Sequence, residues 1–140
     1  VTGLAESFAG LPAGTRAIAL PSPQMNHAFL KTFGQPSRDT ACTCERGSGP
    51  QLAQALEFLS GDLVHSKLES GDNRFRKALA AGKSDHEIVD ELYLAALSRL
   101  PSTEERESAR RHIAKSDNRA AALADVCWAI LNTNEFVFQH

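Results

Sequence analysis

Cys42 and Cys44 stand one residue apart in the stretch RDTACTCERGSGP, Arg38 to Pro50, with Glu45 and Arg46 directly behind them. Four kinds of chemistry fit two close thiols: a metal ligand pair, a redox dithiol, a structural disulfide, or a pair of half-buried thiols in a loop. Zinc sites use cysteines two to four residues apart and need further ligands elsewhere. Here the spacing is one, and the chain has three cysteines in all. Metal binding is therefore the weaker of these readings. A bond between Cys42 and Cys44 would close a very small ring, which stabilises little and is open to strain and reduction. These two residues are the candidate redox or disulfide pair. Arg38, Glu45 and Arg46 form a charged cluster that would lock the loop or offer it to a partner. A lone glutamate without a second acid is poor material for acid–base catalysis.

The remaining reactive side chains make no recognisable set. His27, His65, His86, His112 and His140 have no metal-ligand spacing, and no haem-attachment motif, nucleophile elbow, P-loop or dinucleotide fingerprint occurs. Cys127 falls on an apolar helical stripe, where a small buried thiol needs no further reason. Arg99, Arg106, Arg110, Arg111, Lys115 and Arg119 form a basic series interleaved with acids, which reads as a solvated face. One Trp and one Tyr, both in helical stripes, make a poor carbohydrate platform. No catalytic residue and no cofactor is assigned.

The elements that position these groups read as helices. Fifteen basic and seventeen acidic residues leave a net charge of −2 over 140 residues, against a dedicated nucleic-acid surface. Hydrophobic residues at 42% and charged residues at 23% describe a folding chain of single-domain size. No apolar run reaches the ~20 residues of a membrane helix. With Val1 first and Met25 the sole methionine, the chain reads as a piece of a longer protein. Residues 1–23, rich in glycine and proline, read as an irregular lead-in, with Arg16–Leu20 as a short extended piece. Residues 24–140 read as one helical domain.

Within it, Gln24 to Phe33 predicts a helix closed by Gly34 and Pro36. Pro50 opens a second, with Leu52, Leu56, Leu59 and Leu63 as its inward stripe and Gly61 as an interruption. Phe75, Ala78 and Leu79 mark a short helix ended by Gly82. Ser84 with Glu87, and Ser102 with Glu105, are capping boxes. The first opens a helix with Ile88, Val89, Leu92, Tyr93, Ala96 and Leu100 on one face, stopped by Pro101. The second opens a polar helix that turns Ala109 and Ile113 inward, with Glu107 and Arg111 placed to pair. Asp117 is placed to cap a last helix carrying Leu123, Val126, Cys127, Ile130 and Leu131, with Trp128 beside the stripe. The expectation is an all-α bundle of about five or six helices.

Two long stretches, FLKTFGQPSRDTACTCERGSGPQLAQALEFLSGDLVHSKL and LYLAALSRLPSTEERESARRHIAKSDNRAAALADVCWAILNTNEFVFQH, carry a family likeness. The chain resembles the planctomycete-specific C-terminal domain of unknown function, from large exported proteins that often carry an upstream cytochrome-c-like domain. The marks are Phe29 to Gly34, the Cys42-x-Cys44-Glu45-Arg46 block, Gln54-Ala55-Leu56, and the closing Leu131-Asn132 to Glu135-Phe136. Where that family often has an acid between the cysteines and an asparagine late in the first long helix, this chain has Thr43 and Ser60. The resemblance implies an extracytoplasmic setting and upstream domains of the same chain as partners. It implies no known activity. The expected role is a non-catalytic docking or protein-interaction module, without nucleic acid or membrane insertion. The alternative is a redox or metal-binding module acting through Cys42 and Cys44 beside the cytochrome-like domain.

Overall fold

The computed structural model describes residues 1–12, 14–20, 27–33 and 52–138. Among them it is helical, with no strand. A 3-10 turn, Ala17–Ala19, precedes α1 (Ala28–Thr32), α2 (Leu52–Ser60), α3 (Asp62–Glu69), α4 (Arg74–Ala80), α5 (Asp85–Leu97), α6 (Thr103–Lys115), α7 (Arg119–Leu131) and α8 (Asn134–Val137). Six of these, α2 to α7, are seven residues or longer. That is the all-α architecture and the helix number the apolar periodicity predicts. The chain divides into two compact units: Ala5–Leu63, and Val64 onward together with Val1–Leu4.

The larger unit is built on three thirteen-residue helices, α5, α6 and α7, each packed on the other two. α4 packs on α5 and α7, and α8 on the same pair. Their apolar stripes meet in a core where Phe75, Leu92, Ala122, Leu123 and Cys127 are fully buried and Ile88 nearly so. Burying a leucine, isoleucine or phenylalanine in this way stabilises by roughly 1.5–3 kcal/mol each before entropy is counted. α6 contributes only Ala109 and Ile113 to the interior, as its polar sequence requires. Val1–Leu4 is tied to this unit: Thr2 O accepts from Arg74 N at 2.7 Å and Leu4 O from Lys67 Nζ at 3.3 Å.

The helix ends follow local chemistry. Both capping boxes form, Ser84 with Glu87 and Ser102 with Glu105. Asn73 caps α4 and Thr133 caps α8 through side-chain oxygens. α4 closes in a Schellman turn: Lys83 N donates to Ala78 O and Gly82 N to Leu79 O, with Gly82 at φ +76°.

Four local expectations are corrected. α7 is capped by Asn118, not Asp117; the Asn118 amide oxygen accepts from Ala121 N at 3.1 Å. α5 ends at Ser98 in the left-handed region, φ 56°, three residues before Pro101, so Leu100 leaves the helix and is exposed. Glu107 pairs with Arg110, one residue nearer than Arg111, in a two-pronged contact at 2.7 and 2.8 Å. Arg16–Leu20 holds the 3-10 turn instead of an extended piece, with Ile18 pointing to solvent.

In the smaller unit the organising contact is aromatic. Phe29 and Phe33 of α1 stack at 4.4 Å, and the Phe58 ring meets both edge-on at 6.1 and 5.4 Å. Gln54 Nε2 donates to Thr32 O at 3.3 Å. This turns α2 on its Phe58 face, and Leu56 and Leu59 of the expected leucine stripe are exposed. Gly61 follows α2, its N–H donating to Glu57 O at 2.9 Å, and a Cβ there would run into Glu57. Phe8 is buried with its ring 5.5 Å from that of His27.

Candidate functional site: an apolar groove on α6 and α7

Arg38, Cys42, Cys44, Glu45 and Arg46 lie outside the described residues, as do His140 and the expected helix starts at Gln24 and Pro50. The described residues instead present a groove of about 510 Å³ in the larger unit. Its volume falls in the ~300–1,000 Å³ span of ligand pockets. α7 supplies Val126, Trp128, Ala129 and Ile130; α6 supplies Ser108, Ala109 and His112. Tyr93, Glu105, Asp125 and Thr133 complete the lining.

Two small side chains and one large one line the groove together. They are the buried Ala109, the exposed Ala129 and the half-buried indole of Trp128. Val126 and Ile130 point into the core from the same helix and close the floor. Ser108, exposed, continues the α6 bank toward His112.

Its ionisable groups are engaged in structure. Arg99 forks onto two carboxylates: Nη1 and Nη2 donate to Glu105 at 2.8 Å each, and Nε and Nη2 to Glu135 at 2.7 and 2.6 Å. The guanidinium also lies 5.4 Å from the Tyr93 ring centroid, at cation–π range. One residue thus ties the end of α5 to the start of α6 and to α8. Hydrogen bonds from Arg99 hold the Glu105 carboxyl down at about 2, against the opposing effect of partial burial. The same donor lowers Glu135, and Arg99 itself is held firmly protonated by the two carboxylates. Burial pushes the Tyr93 phenol up. At the other end, the His112 and Asp125 side chains meet across α6 and α7, Nε2 to Oδ2 at 3.0 Å, both half-exposed or more.

Arg106, Arg110 and Arg119 of the basic series also have acid partners. Arg106 reaches Asp90 and the His86 ring, and Arg119 Nε donates to Asp85 at 2.6 Å and Nη2 to the Lys83 carbonyl at 2.9 Å. Among the described residues, Arg111 and Lys115 have no ion-pair partner. The basic series is therefore mostly a set of inter-helix ties. His65 is exposed on α3, and His27 sits at the start of α1, 3.9 Å from Glu6. Burial pushes the Cys127 thiol up to about 12, which removes it as a nucleophile at neutral pH. Among the described residues no group of three or more His, Cys, Asp or Glu comes together to hold a metal ion, and no helix is long and apolar enough to cross a membrane.

The groove was not a sequence-level candidate. Trp128 stood beside the apolar stripe, Tyr93 within one, and Ser108 and Asp125 carried no motif. The legible trace was the pairing of small residues, Ser108-Ala109 and Ala129, around an isolated tryptophan.

Fold and site define an all-α domain with an apolar, polar-rimmed groove. The family profile of PSD1, a protein of unknown function (DUF1553), matches residues 12–113, and the chain belongs to that family. The match ends within α6, so the α7 wall of the groove lies beyond the matched residues. No curated protein and no solved structure matches the chain.

Proposed function

We propose that the chain is a helical docking module of a larger exported bacterial protein and that the α6–α7 groove receives another part of the same polypeptide. The observation that carries this reading is the groove's make-up: an apolar floor under Trp128, with its rim carboxylates already held by Arg99 and His112. Groups engaged in this way position helices first; what the groove offers a partner is shape and apolar area between carboxylates, which suits binding more than turnover. The exported, multidomain setting, with a cytochrome-c-like domain upstream, comes from the family resemblance carried by Phe29 to Gly34 and the Cys42–Arg46 block.

Calorimetric titration of this chain with the upstream region of its polypeptide tests the proposal. Saturable binding that Ala129→Phe, a filled groove, abolishes is the expected result; binding indifferent to Ala129→Phe, or none, removes it. The presence of two neighbouring thiols, Cys42 and Cys44, keeps a second reading, a redox or metal-active loop. Thiol counting with elemental analysis decides it: two free, unreactive thiols and no metal would remove that reading.

A further inference from the structure

We infer that the segment received by the groove is basic as well as apolar, carrying a lysine or arginine between aliphatic side chains; this deepens, and rests on, the docking reading above. The charged lining residues are Glu105 and Asp125, and no lysine or arginine lines the groove. Arg99 divides a single positive charge between Glu105 and Glu135, so that cluster keeps a net negative charge. Asp125 is faced by an imidazole, and its side chain is 66% exposed. Both ends of the groove thus hold negative charge over an apolar bed. A long basic side chain fits such a surface in both its parts. Its methylene stem lies on Ala129 and the Trp128 indole while its cationic head reaches the Asp125 carboxylate. An acidic or phosphorylated segment meets repulsion at both ends.

Trp128 is the chain's one tryptophan, so its emission reports on the groove alone. The probes are two capped heptapeptides without aromatic residues, Ala-Leu-Ala-Lys-Ala-Leu-Ala and its counterpart with glutamate in place of lysine, titrated into the whole chain. The lysine peptide is expected to bind about fivefold tighter, the effect of one exposed ion pair. Added salt should shrink the preference. Asp125→Asn should erase it, and Asp125→Glu should keep it. Equal affinities, or preference for glutamate, overturn the inference. Should neither peptide bind while the upstream region still docks in an Ala129→Phe-sensitive way, the charge assignment fails and the docking reading stands. Should the upstream region fail as well, both fall.

Discussion

Asn73 is fully buried and uses its whole amide on the backbone. Its nitrogen donates to Leu68 O at 2.8 Å and Lys67 O at 3.4 Å, and its oxygen accepts from Arg76 N at 3.0 Å. One side chain therefore closes the end of α3 and opens α4. Asn73→Ala strands three backbone groups, one of them fully buried, and should cost about 2 kcal/mol in urea denaturation, well above a surface substitution. Cys127 makes the opposite case, a reactive group silenced by burial. In the native protein at pH 8 its thiol should stay unmodified by a thiol reagent and should react once denaturant is added, as read by mass mapping of the α7 peptide. Rapid native labelling there would contradict the packing. Glu105 predicts an acid response. Its carboxyl titrates near 4.5 unfolded and about 2 folded. The ionised form therefore favours the fold: the contribution is complete above about pH 4.5 and is lost as pH falls toward 2. Solvent screening reduces it to about 1 kcal/mol. Glu105→Gln should flatten the stability profile across that window, and Arg99→Ala should lower the melting temperature more than Arg110→Ala does, because it leaves two carboxylates facing each other.

At the scale of elements, the caps and stops argue for how much of this fold is local. Ser84 and Ser102 each close a capping box, and replacing either with alanine should cost about 1 kcal/mol with an unchanged denaturant slope. Either variant keeps the backbone N–H that donates to Glu87 or Glu105, so only the hydroxyl's half of the box is lost. Such features are legible in the sequence because donor and acceptor lie within one helical turn. The same holds for Gly82 and for the inward stripes of α5 and α7. What was not legible depended on a partner far along the chain. The leucine stripe of α2 has sound helical spacing, yet the stacked Phe29 and Phe33 draw in Phe58 and turn Leu56 and Leu59 outward. Local rivals were equally open: Asn118 and Asp117 are adjacent polar cap formers, and Arg110 and Arg111 both lie within reach of Glu107. Periodicity alone ranks neither pair.

At the scale of the molecule, the all-α class follows from apolar periodicity, since every stripe asks for a helical neighbour and none for a sheet. The groove did not follow, because an interhelical gap is set by which residues come together across two helices, and that is a tertiary fact. Ala109 and Ala129 announce nothing singly; from α6 and α7 they line the groove together with Trp128. The polar ties then read as a scaffold around that space, with Arg99 binding α5, α6 and α8 together and the His112–Asp125 contact spanning its far end. The central claim is that this scaffold holds a surface for binding. Nuclear magnetic resonance of the Trp128 indole N–H, recorded while the upstream region of the polypeptide is added, tests it most directly. The account predicts a saturable shift of that resonance together with the backbone amides of Ser108, Asp125 and Ala129. Saturable binding that leaves those resonances in place and moves others would contradict it.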